Sequence, residues 1–146
     1  MAVPPPGALS GPPDIDATSV TLRFFGDALD PDEVSRLLGS HPTLGRKRGA
    51  PLPGAATAET GSWLLSSQRL SKNALENQLH ALFDRLTPHL AVWTGLADRF
   101  RGDVFCGLWA ADWNRGVALS ARALERISER RLAIAFDINF LDDPKR

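Results

Sequence analysis

The chain has 146 residues, of which 43% are hydrophobic and 23% charged, a composition that supports one globular core and excludes fibrous or wholly disordered classes. Seventeen Lys and Arg balance seventeen Asp and Glu, so no global field draws the chain to nucleic acid or to an anionic membrane. A lone Cys106 excludes an intramolecular disulfide and a multi-cysteine zinc cage, and it suits a reducing, cytoplasmic setting.

Residues 1–17 hold five of the eleven prolines and no Lys or Arg. They lack the basic and apolar regions of a secretory signal and read as a disordered Pro/Gly-rich tail. Residues 18–146 then form a single α+β domain. No apolar run approaches the roughly 20 residues that cross a bilayer, so no membrane segment is expected.

From Thr18 to Phe25, Val20, Leu22 and Phe24 alternate with Thr21 and Arg23, the pattern of a half-buried strand. Asp30-Pro31-Asp32-Glu33 supplies a capping carboxylate, a proline at the first helical position and a glutamate three after the cap. Gly39 suits the left-handed position that ends a helix, so a short helix buries Val34, Leu37 and Leu38. Residues 41–60 show no useful period and contain Pro42, Pro51 and Pro53, which is a long loop for a compact domain. Gly61–Ser66 is a second strand with Trp63 and Leu65 on one face.

Ser71 is placed to cap a helix carrying Leu75, Leu79, Leu82, Phe83, Leu86 and Leu90 at the 3.6-residue period. Pro88, preceded by Thr87, breaks it, and a second piece packs Leu90, Trp93 and Leu96. Asp103–Ala111 alternates as a strand, and Asp112–Gly116 supplies turn residues for a hairpin with Val117 and Leu119. Ser120 caps a helix to about Arg130 with Leu124 and Ile127 inward, and Leu132 to Phe140 alternates as a final strand. The order is βαβ, then α, then ββαβ. It predicts a mixed or antiparallel sheet with helices packed on one face, ferredoxin-like with an added helix.

Phe24-Phe25-Gly26 ending the first strand, the helix from Asp30 to Gly39, and Pro42-Thr43 followed by Gly49 form a recognisable series. With Gly61–Ser67, the leucine-rich helix, Leu119-Ser120 and the closing strand to Asp137-Ile138, the chain resembles the DUF4279 family of bacterial domains of unknown function. The resemblance spans about Val20 to Phe140. It implies a small bacterial protein and names no catalytic residue to carry over.

Several residues are candidates for chemistry. Arg46, Lys47 and Arg48 lie between Gly45 and Gly49, where flexible backbone can wrap an anion; a solvated basic loop is the plainer reading. Trp63, Trp93, Trp109 and Trp113 include two expected in the core, Trp63 and Trp93. Trp109 falls opposite the aliphatic face of its strand, and Trp113 in its turn is the tryptophan most open to a partner. His41 stands at the entrance to the long loop, whereas His80 and His89 read as surface residues, and no histidine has metal-ligand spacing. Cys106 alternates with Val104 and Leu108 as a small buried hydrophobe. Asp137 and Asn139 occupy the polar face of the last strand, with Asp142 and Asp143 beyond it.

No phosphate loop, nucleophile elbow or zinc-protease signature occurs, so no catalytic residue, cofactor or metal is expected. The expected function is a non-catalytic binding or regulatory domain working through protein–protein contacts, with the 41–61 loop, Trp63, Trp109 and Trp113 as places to look. One alternative is nucleic-acid or anionic-ligand binding through Arg46, Lys47 and Arg48. A second is a small hydrolase using His41 with a carboxylate such as Asp137.

Overall fold

The structure, a computed structural model, describes residues 11–141. The first ten residues of the tail expected over 1–17 and the pair Asp142-Asp143 lie outside the described residues. The elements are β1 (Ala17–Gly26), α1 (Pro31–Leu38), β2 (Leu44–Arg46), β3 (Gly61–Ser66) and β4 (Leu70–Ser71). They continue with α2 (Leu75–Asp84), α3 (Leu90–Arg99), β5 (Arg101–Ala110), α4 (Ala121–Glu129) and β6 (Ala133–Phe140).

The sheet runs β2-β3-β1-β5-β6, with β4 also pairing β1, and of the hydrogen-bonded strand pairs β5–β6 is parallel and the others antiparallel. The chain is thus α+β with a mixed sheet, as its pattern predicts. The ferredoxin-like feature present is a split βαβ unit: β3 and β5 run parallel with β1 between them, joined through α2 and α3. The second half differs, because α4 carries the chain to β6 directly beside β5.

Alternation decides which side of each strand is buried. Val20, Leu22 and Phe24 of β1, Trp63 and Leu65 of β3, and Val104, Cys106 and Leu108 of β5 meet Val34, Leu79, Phe83, Trp93, Leu96 and Ile127 from the helices. Trp93 anchors this core, edge-on to Phe83 at 5.8 Å and tilted against Phe24 at 6.3 Å. Gly102 lies where a Cβ would strike Phe24 and Leu132 at under 3 Å, so glycine lets the Phe24 ring pack against β5.

The cap of α1 forms as its sequence dictates. Asp30 accepts from the Asp32 amide at 3.0 Å, Pro31 opens the helix, and Gly39 takes φ 81° with its N–H donating to Ser35. Glu33 does not close a capping box; it accepts from Arg99 at 2.7 Å and ties α1 to the end of α3. Asp30→Ala is expected to cost about 1 kcal/mol, read as a lower urea midpoint with an unchanged slope.

Six expectations need correction. Residues 14–17 belong to the fold: Asp14 bridges Gly116 and Ile15 is buried. The loop after His41 is not structureless, since β2 pairs with β3 and residues 49–58 form a hydrogen-bonded turn. Ser71 lies in β4 and caps nothing; Asn73 reaches the first amide of α2 only at 3.4 Å. Val117 and Leu119 form no hairpin, because Asp16 holds the Ala111 amide and Arg115 and turns residues 111–116 towards Asp14. Leu37 and Leu124 are exposed, each one residue off the buried Leu38 and Ala123, and Leu90 is exposed as the first residue of α3. Finally, the apolar row of β6 is largely open, because β6 is an edge strand of the described sheet, with α4 packed against it.

Candidate functional site

The face of the sheet opposite the helices is open, and its side chains are those at the alternate positions of the strands. β1 contributes Thr21, Arg23 and Phe25, and β5 contributes Asp103, Phe105 and Trp109. The register sets Arg23 beside Asp103 and Thr21 beside Phe105. Arg23 binds Asp103 through both nitrogens of its fork, at 2.8 and 2.7 Å, and Asp103 holds the guanidinium charged. The bidentate pair fixes that guanidinium over Phe105, 4.2 Å from the ring centroid, and near Phe25 at 5.3 Å.

Further along, the Trp109 indole lies across Gly107, where an added Cβ would meet its ring at 2.7 Å. The Arg69 guanidinium lies over the ring, 4.4 Å from its centroid. The result is a row of half-buried aromatic rings under arginines, rigid because each guanidinium is stacked or paired. Trp113, three residues past β5, is 82% exposed. Two shallow hollows adjoin Phe25, of about 370 and 470 Å³, and share Arg101.

At the end of this face, Asp16 accepts from the Ala111 amide at 2.7 Å and from Arg115 at 2.9 Å. The amide first, and Arg115 with it, hold the Asp16 carboxyl below its usual range. A carboxylate whose pKa is lower when folded adds stability above its ordinary pKa and loses that stability as pH falls through the folded value. Asp16→Asn is therefore expected to be less stable than the parent at pH 7, with the gap closing in acid below about pH 4. Urea midpoints measured across that range check this.

The remaining candidates scatter. Trp63 is wholly buried and donates to Ser35 at 3.0 Å, so it cannot belong to an exposed site. His41 is exposed beside Asp32, Arg36 and Ser40 at the β2 side of the fold. Asp137 lies on β6 at the other edge, four strand spacings away or roughly 19 Å, so the two do not form an acid–base pair. Arg46 is half-buried in β2, while Lys47 and Arg48 are exposed and Arg48 pairs with Asp27 at 3.3 Å. With Trp63 buried, that ring is closed to a base stacking beside these cations. Cys106 is buried, and burial pushes its thiol up to about 12, which suits packing rather than nucleophilic attack. Among the described residues, no three His, Cys, Asp or Glu side chains gather as metal ligands.

Other residues escape a linear reading. Arg23, Asp103 and Arg69 owe their place to contacts across the sheet; the only linear signal was an aromatic side chain on the outward positions 25, 105 and 109. His80 is half-buried between α2 and α4, within 3.7 Å of Glu76 and 3.0 Å of Arg126. A cleft of about 480 Å³ opens between α2 and residues 67–70, with Leu70, Ala74, Ala81 and Leu82 on its walls.

No helix among the described residues is long and apolar enough to cross a membrane. No curated protein and no solved structure matches the chain. A family model described as a domain of unknown function, DUF4279, matches residues 16–141, which takes in every strand and helix above. The capped α1, the Gly61–Ser66 strand and the closing β6 that carried the resemblance are parts of that matched span, and the chain belongs to the DUF4279 family.

Proposed function

We propose that the chain is a non-catalytic binding domain that contacts another protein through the outer face of its sheet. The observation that carries this reading is the row of Phe25, Phe105 and Trp109 held under Arg23 and Arg69, with Trp113 projecting nearby. Tryptophan and arginine dominate the energetics of protein interfaces, and a preorganised aromatic surface loses little side-chain entropy on binding. The candidate catalytic residues, by contrast, are dispersed to opposite edges or buried. A bacterial cytosol is the setting this reading assumes, in keeping with a single buried cysteine, and cell fractionation tests it.

Immobilised chain is exposed to extract of its own cell, side by side with Trp113→Ala, Arg69→Ala and an exposed control, Leu90→Ala. A protein held by the parent and by Leu90→Ala, and lost at least about tenfold by the first two variants, is expected. Retention of no protein, or equal retention by all four chains, overturns the proposal.

A further inference from the structure

The two edges of the sheet are unlike. Proteins guard exposed edge strands with shortness, proline, lysine or bulges. β2 obeys this rule: it has three residues and runs into Arg46, Lys47 and Arg48. β6 does not. Its eight residues pair with β5 without a skip, contain no Pro, Lys or Arg, and bear a single charge, Asp137. Among the described residues, no other strand pairs with its outer edge.

The inward-facing row of β6 is also uncovered. Phe136, Ile138 and Phe140 are 48%, 60% and 65% exposed, although the register aligns them with buried Cys106, Leu108 and Ala110. At about 100° per residue, Leu124 falls on the flank of α4 away from Arg126. Arg126 bonds Asp84 of α2, so Leu124 lies on the β6 side and extends the apolar strip.

We propose that β6 pairs antiparallel with β6 of a second copy about a two-fold axis at Ile138, continuing the sheet through the dimer. The sequence of β6 is self-complementary about that residue. Ile138 meets the partner's Ile138, Phe136 meets the partner's Phe140, and Asp137 meets the partner's Asn139, an amide able to donate to the carboxylate. Centring on Asp137 instead sets two carboxylates opposite each other, and centring on Asn139 carries Phe136 past the end of the partner strand. A shift that pairs odd with even positions puts apolar side chains against the polar face. No charged side chain interrupts the apolar row, so burial leaves no unpaired ion.

The area fits a weak dimer. Phe136, Ile138, Phe140 and Leu124 are each already about half covered, so of the roughly 150–250 Å² that a large side chain buries, covering this strip removes on the order of 400 Å² per copy, or about 800 Å² in the pair. That is the size of a weak, concentration-dependent association, and backbone hydrogen bonds along the joined edges add to it. An axis normal to the sheet leaves both outer faces open on one side of the dimer, so dimerisation and the binding proposed above are separate events.

Sedimentation velocity of the full chain across the micromolar to millimolar range is expected to show the mass doubling with concentration. Ile138→Lys, which sets two ammonium groups at the axis, is expected to remain monomeric with unchanged circular dichroism. Register is read by oxidative cross-linking, with native Cys106 buried: Ile138→Cys links to itself, whereas Phe136→Cys links only when mixed with Phe140→Cys. A monomer at every concentration overturns the proposal, whether the edge is shielded by the chain's own N-terminal segment or left for another protein's strand. So does a dimer that survives Ile138→Lys, or self-linking of Phe136→Cys equal to that of the mixture. If Ile138→Lys fails to fold, the cross-linking pattern decides alone.

Discussion

Replacing Trp63 by alanine is expected to lower the stability of the domain by about 3–5 kcal/mol, a large share of the roughly 5–15 kcal/mol that holds a domain folded. The indole is fully buried on the inner face of β3, tilted against Phe24 at 6.3 Å, with its N–H donating to Ser35 of α1 at 3.0 Å. Alanine leaves a cavity that the β3–β1 register and the α1 contact prevent from closing, and it removes the hydrogen bond to Ser35. Trp63→Phe keeps most of the apolar area and loses the hydrogen bond, so a cost of about 1–2 kcal/mol is expected. Urea unfolding of the three chains checks the order. A Trp63→Ala midpoint within error of the parent would show that the ring does not hold α1 to the sheet.

Gln78→Leu carries the second large effect. Gln78 is buried on α2 and makes three bonds: it accepts from the Thr18 hydroxyl at 2.7 Å and donates to the carbonyls of Thr18 and Gln68 at 2.9 Å each. These bonds lock α2 to the start of β1 and to the segment after β3. Leucine matches the volume but withdraws the partner from a buried hydroxyl and two carbonyls, and a stranded buried group costs about 1–3 kcal/mol. A loss of about 3 kcal/mol is expected by urea or thermal unfolding. Adding Thr18→Val should restore part of it, because removing both members of a buried hydrogen bond costs less than removing one. A double variant no more stable than Gln78→Leu alone would contradict the network.

Local chemistry was legible. The cap at Asp30, the stop at Gly39, the break near Pro88 and the cap at Ser120 each depend on residues within a few positions, and all four occur. The inward tryptophans were legible too, since Trp63 and Trp93 fall on the apolar faces of their elements. Ser71 failed as a cap because pairing with Ala17 drew it into β4, a contact more than fifty positions away in the chain.

The sequence by itself determined where the four long strands β1, β3, β5 and β6 and the helices form, though not the short β2 and β4, and which way most of their side chains face. Periodicity and capping are short-range, and burial of an apolar stripe decides the rest. Strand order was beyond it, and with strand order went the site. Only the tertiary structure set Arg23 against Asp103, eighty positions apart, and so made a platform of Phe25 and Phe105. Only the tertiary structure placed β6 at an edge. The same alternation that buries Val104 and Cys106 in β5 leaves Phe136 and Ile138 open in β6, because burial depends on the neighbours a strand receives.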